Sequence, residues 1–150
     1  MSRIIYVLNG PNLNLLGVRE PQLYGSTTLA EVEQLCQRVA GELAYACEFR
    51  QTNHEGVMVD WVQEAREKAA AVVINPAGLS FRSIPLLDAL KTLDQPIAEV
   101  HITNIHRRDA LYQHSLVSLA ATGVICGFGP FGYELAMRAL AQRLASTTAS

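Results

Sequence analysis

Two groups of residues in the sequence have the types and spacing to move protons. After the apolar run Ile4-Ile5-Tyr6-Val7-Leu8 comes a polar stretch, residues 12–26, carrying Asn12, Asn14, Arg19, Glu20 and Tyr24. A phenol ionises near pH 10 in water. A neighbouring guanidinium stabilises the phenolate, so Arg19 beside Tyr24 would make a base of an otherwise inert group. The plain alternative is that Arg19 pairs with Glu20 and Tyr24 packs on the rim. Farther along, Glu99 and His101 stand two apart in an apolar run. Positions i and i+2 of a strand share a face. The carboxylate can therefore fix the imidazole tautomer and favour the protonated ring, which suits a general acid. The plain alternative is a hydrogen-bonded core histidine.

Other chemistries find less support. Cys36, Cys47 and Cys126 are scattered without a Cys-x-x-Cys and read as buried reduced thiols, which points to a cytoplasmic protein. His106 and His114 are not at helical ligand spacing with His101, so no metal is expected. Ser80, Ser83 and Ser115 lack the context of a nucleophile elbow. The glycines of Gly127-Phe128-Gly129-Pro130-Phe131-Gly132 lack the Lys-Ser/Thr pair of a P-loop and read as a tight turn into the last helix. The lysines, Lys68 and Lys91, fall at helix positions away from strand ends, so a Schiff-base route, which needs a lysine in the site, has none to use.

The elements that must position these residues alternate. Continuous apolar runs at 4–8 and 71–74, stopped by Asn9-Gly10-Pro11 and Asn75-Pro76, read as strands buried on both faces. Further strands are predicted at 47–52, 97–102 and 124–126. A helix starts near Thr28, where Thr28 and Glu31 have capping-box spacing, and Leu29, Val32, Leu35, Cys36, Val39 and Leu43 form its apolar stripe. Met58, Trp61, Val62, Ala65 and Ala69 mark a second helix, 83–92 a short third, and Tyr133, Leu135, Met137, Leu140 and Leu144 the last. Residues 145–150 read as a flexible tail. Five strands alternating with helices imply an α/β three-layer sandwich, a flavodoxin-like parallel sheet with helices on both faces. Ligands of such sheets sit outside the carboxyl ends of the strands. Three of those ends hold Asn9 to Asn12, Asn75 to Gly78 and Glu99 to Asn104.

Composition sets outer bounds. The chain has 150 residues, a net charge of −2, 49% hydrophobic and 17% charged residues. That is one domain, 1–150, with enough chain for a core without staples. A balanced charge gives no nucleic-acid footprint, and no apolar run is long enough for a membrane helix. Few charges on a small subunit also point to a homo-oligomer.

Taken together, the residues resemble a known family. Residues 8–17 (Leu-Asn-Gly-Pro-Asn-Leu-Asn-Leu-Leu-Gly), then Arg19-Glu20-Pro21 and Tyr24-Gly25, closely resemble the opening signature of type II 3-dehydroquinate dehydratases. Ile74-Asn75-Pro76, Asp88-Ala89-Leu90, Glu99-Val100-His101 with Asn104, Arg108, His114-Ser115, 121–125 and Gly132-Tyr133 match in the same order, over about residues 3–144. The resemblance implies cofactor-free loss of water from 3-dehydroquinate through an enolate, in shikimate or quinate metabolism. It also implies a dodecamer of trimers. By the same resemblance Tyr24 is the base, Arg19 keeps it ionised, and Asn12 helps hold a water that stabilises the enolate. His101 is the acid and Glu99 orients it. Asn75 and the backbone amides of Ile102 and Thr103 hold the substrate carboxylate, and Asp88 reaches the site from a neighbouring subunit.

The chain departs from the family pattern at the end of the site that binds the ring hydroxyls. Phe81 stands where the family has a substrate-binding histidine, and Tyr112 where it usually has an arginine; Arg108, Arg82 and Arg107 are nearby in sequence. Two other readings therefore stand beside the first. One is the same enolate chemistry on a related hydroxy-ketone acid lacking one ring hydroxyl. The other is a non-catalytic ligand-binding homologue.

Overall fold

The structure, a computed structural model, describes residues 2–149, the side chains of 148 and 149 excepted. Five strands form one parallel sheet: β1 (Ile4–Asn9), β2 (Ala46–Gln51), β3 (Ala71–Asn75), β4 (Ile97–His101) and β5 (Gly123–Cys126), in the order β2-β1-β3-β4-β5. This is the flavodoxin-like order expected from the alternation of elements. Of its central strands, β1 and β3 are the continuous apolar runs, and β4 is apolar apart from Glu99 and His101. A parallel strand covered on both faces has no side left for polar residues.

Alternate residues feed two cores. Ile5, Val7, Val73, Ala98 and Val100 pack with α2 (Leu29–Glu42) and α5 (Phe131–Ala149). Tyr6, Leu8, Val72, Ile74 and Ile97 face the other way, onto α3 (Glu55–Lys68) and α4 (Ile84–Leu90). Helix α2 begins where the capping box places it: Glu31 N–H donates to Thr28 Oγ1 at 3.2 Å and Thr28 N–H to Glu31 Oε1 at 3.3 Å. Its stripe buries Val32, Cys36, Val39 and Ala40 completely or nearly so, the larger side chains contributing roughly 1.5–3 kcal/mol each.

Several features add to the sequence reading. The backbone of α5 runs on through 149, with Ser146 Oγ donating to the Gln142 carbonyl and Thr147 Oγ1 to that of Arg143; Ser150, the end of the expected tail, lies outside the described residues. The segment between β4 and β5, to which the sequence assigned no element, holds the 3₁₀ turns Ile105–Arg107, Ala110–Tyr112 and Val117–Leu119. Of the cysteines, all free thiols, Cys36 is buried, but Cys47 and Cys126 are only half-buried. The spacing of Gly127, Gly129 and Gly132 was expected not to match G-x-G-x-x-G, but it does, in the turn between β5 and α5. Gly127, at φ +94°, packs against Asn104, where a Cβ would come within 3.2 Å of the Asn104 Cβ. No helix among the described residues is long and apolar enough to cross a membrane.

Candidate active site

The carboxyl ends of β1, β3 and β4 meet around a cavity of about 220 Å³. Gly10 makes the first junction possible. Its N–H donates to the Asn75 carbonyl at 2.8 Å, and a Cβ there would lie 2.4 Å from the Pro76 carbonyl oxygen. Asn12, Glu20 and Ala77, all beside the cavity or its loop, take positive φ (70°, 42° and 51°). For Glu20 and Ala77, which gain nothing from that conformation, it costs about 1–3 kcal/mol each, held by the surrounding bonds. Asn75 Oδ1 accepts the Ala77 N–H at 3.2 Å, and Asn53 Oδ1 accepts the Asn12 N–H at 2.9 Å.

Beneath the cavity a buried chain of hydrogen bonds ties four elements together, β3, α5, β1 and β2. Asn75 Nδ2 donates to Tyr133 Oη (2.9 Å), Tyr133 Oη donates to Asn9 Oδ1 (2.7 Å), and Asn9 Nδ2 donates to the Arg50 carbonyl (3.0 Å). Burial pushes the Tyr133 phenol well above its ordinary ionisation range, so it stays a donor. Asn75 keeps one amide hydrogen for a ligand, since an amide nitrogen carries two.

The acid–base candidates converge here. Tyr24 ends the short helix α1 (Pro21–Tyr24) and lines the cavity with Arg19, Arg108 and His101. The Arg19 guanidinium lies 5.2 Å from the Tyr24 ring centre and also pairs with Glu20 at 3.3 Å. Arg19 thus stands near Tyr24 while paired with Glu20. The Arg108 guanidinium lies 5.9 Å from the Tyr24 ring and 4.2 Å from that of Tyr112. On β4, Glu99 and His101 share the α3/α4 side of the sheet, and Glu99 is wholly buried behind the imidazole. His101 Nε2 hydrogen-bonds one Glu99 oxygen, and Ser118 Oγ donates to the other at 2.6 Å. Burial alone would raise the Glu99 carboxyl, but the bonds to His101 and Ser118 outweigh it and hold it below its ordinary range.

The remaining candidates divide. Asn12, Asn75, Ile102, Thr103, Phe81, Arg108 and Tyr112 line the cavity. Asp88 does not; it is exposed on α4. Phe81 and Tyr112 form an edge-to-face pair with ring centres 5.4 Å apart, and Phe81 lies 6.5 Å from the His101 ring. Arg82 and Arg107 are exposed and outside the cavity lining, so Arg108 is the cation at this wall. Sequence reasoning missed Ser118, which lies in the 3₁₀ turn Val117–Leu119 and carries no spacing signal toward Glu99. It read Tyr133 only as a core residue. Lys68 and Lys91 are exposed and outside the cavity.

Comparison with known proteins agrees with this geometry. Residues 3–141 match the family model described as dehydroquinase class II. The chain is 55% identical over 140 residues to the 3-dehydroquinate dehydratase 1 of Agrobacterium fabrum, covering 93% of this chain and 97% of that one. It is likewise 55% identical over 141 residues to the 3-dehydroquinate dehydratase of Phenylobacterium zucineum, covering 94% and 97%. Its fold is similar to the crystal structure of the type II dehydroquinase from Propionibacterium acnes, with a TM-score of 0.91 and 46% identity over 95% of this chain and 98% of that one. The chain belongs to the class II dehydroquinase family.

Proposed function

We propose that this protein dehydrates 3-dehydroquinate to 3-dehydroshikimate without a cofactor. The observation that carries the reading is one cavity holding a tyrosine flanked by two guanidiniums and a histidine backed by a buried carboxylate. Tyr24, as phenolate, takes the proton from carbon 2, and the electron pair moves onto the adjacent ketone oxygen as an enolate. Arg19 stabilises the phenolate by its charge, and Asn12 helps hold a water against the enolate oxygen, a preorganised donor for developing charge. The enolate then collapses to a carbon–carbon double bond and expels the hydroxyl from carbon 1. That hydroxyl takes a proton from His101 and leaves as water. Because Nε2 faces Glu99, Nδ1 is the ring nitrogen left for the substrate. Asn75 and the backbone amides of Ile102 and Thr103 bind the carboxylate. Lysines outside the cavity support direct elimination over an imine route.

Asp88 is exposed, as are the apolar side chains of Ile84, Leu119, Phe128 and Phe131. This supports a homo-oligomer, a dodecamer of trimers in the cytoplasm, in which Asp88 completes a neighbour's site. The test of the activity is ultraviolet absorbance of the enone formed from 3-dehydroquinate; no absorbance above the uncatalysed rate would reject it. One observation favours a second reading. The Phe81–Tyr112 wall presents aromatic faces where a diol must bind, which suits a hydroxy-ketone acid lacking one ring hydroxyl.

A further inference from the structure

The Glu99 carboxylate makes two hydrogen bonds, and only one of them involves the acid. The other is the donated hydroxyl of Ser118, 2.6 Å from Oε1. The buried Ser115 hydroxyl also lies beside this carboxylate and helps hold it down, without a direct hydrogen bond; its register neighbours, Ile74 on β3 and Val124 on β5, are apolar. His101 is its charged or titratable partner, and beyond His101 the cavity holds Tyr24, Arg19, Arg108 and Tyr112. Ser118 is held in place from both sides. Val117 is fully buried in the α3/α4 core, and the Leu116 N–H donates to the Ser80 carbonyl at 2.7 Å. The segment is thus pinned to the same turn that carries Phe81. Ser118 itself is exposed on its outer side, so its hydroxyl reaches inward from a residue with no packing role.

We propose that Ser118 is a positioning residue of the elimination, fixing the rotamer and charge of Glu99 and, through it, the orientation and protonation of His101. A carboxylate with one donor can rotate about its last bond; with a donor on each oxygen it cannot satisfy both in any other orientation. The hydroxyl also stabilises the anionic carboxylate. Without it, the pair with neutral imidazole, which carries the net negative charge, loses more than the pair with imidazolium. Proton affinity of the dyad therefore rises.

The inference rests on the dehydratase reading, and two measurements keep the two separable. Steady-state kinetics on 3-dehydroquinate should show Ser118→Ala with kcat lowered about tenfold, the loss of one donor to a buried charge, and KM within twofold. The limb of its pH profile reporting His101 should move to higher pH. Ser118→Thr, which keeps the hydroxyl at an exposed residue, should restore both. Nitrogen-15 NMR of histidine-labelled protein reads the His101 ring without turnover, and the same upward shift is expected in Ser118→Ala alone. An inactive parent with the NMR shift present would overturn the dehydratase reading and leave the positioning role. An active parent with kcat, pH profile and ring titration unchanged in Ser118→Ala would overturn the positioning role. So would Ser118→Thr behaving like Ser118→Ala.

Discussion

Replacing Tyr133 with phenylalanine removes a single oxygen from the base of the site, and the structure fixes what that must do. Tyr133 Oη is fully buried, donating to Asn9 Oδ1 at 2.7 Å and accepting from Asn75 Nδ2 at 2.9 Å. Asn9 is fully buried and Asn75 nearly so, and water cannot reach the gap without a cavity larger than the lost oxygen. Each of the two orphaned buried groups costs about 1–3 kcal/mol, so Tyr133→Phe should destabilise the protein by roughly 2–6 kcal/mol. At roughly 2–4 °C per kcal/mol for a chain of this size, the Tm should fall by roughly 4–24 °C. The second consequence is kinetic. Asn75 loses the acceptor that fixes its amide, so the carboxylate of the substrate is held less firmly while Tyr24 and His101 are untouched. KM for 3-dehydroquinate should rise several-fold with kcat within a factor of two. Thermal denaturation followed by circular dichroism and initial-rate kinetics on the same preparation check both parts. An unchanged Tm would refute the accounting of buried hydrogen bonds. A loss confined to kcat would refute the separation of binding from proton transfer.

Tyr24→Phe should abolish turnover while leaving the circular dichroism spectrum and Tm unchanged, because the ring still packs; activity within a few-fold of the parent would remove Tyr24 as the base. Phe81→His with Tyr112→Arg should raise kcat/KM on 3-dehydroquinate more than kcat, since this wall binds the ring and does not transfer protons; a worse double variant would show that Arg108 and Tyr112 already serve the hydroxyls. Hydrogen bonds from Arg50 and Tyr6 pull the Glu64 carboxyl down to about 2, below its unfolded value of about 4.3. Its contribution to stability is therefore full above pH ~4.3 and fades as pH falls toward ~2. In urea titrations the stability difference between parent and Glu64→Gln should be constant above pH ~5 and shrink below ~4. Sedimentation velocity at micromolar concentration should find an assembly much larger than a dimer, and a stable monomer would remove Asp88 from any neighbour's site.

Short-range physics controls every feature that was legible in the residues alone. A strand covered on both faces is apolar nearly throughout, so β1 and β3 announced themselves, and the Asn-Gly-Pro and Asn-Pro breaks marked their ends. Thr28 and Glu31 fixed the start of α2 because a capping box is a local bargain among four residues. The i, i+2 spacing put Glu99 and His101 on one face for the same reason. Residues 145–147 are exposed, yet the backbone of α5 runs on through 149, because each residue continues the ladder begun by those before it. Tertiary structure alone decided the rest. Ser118 finds Glu99, Tyr133 binds both Asn75 and Asn9, the latter 124 residues away in the chain, and Arg108 rather than Arg82 or Arg107 turns into the cavity. None of these contacts has a period or a fixed spacing. Each exists because the parallel sheet brings the carboxyl ends of separate strands to one edge, and only there do such side chains come within a hydrogen bond of one another.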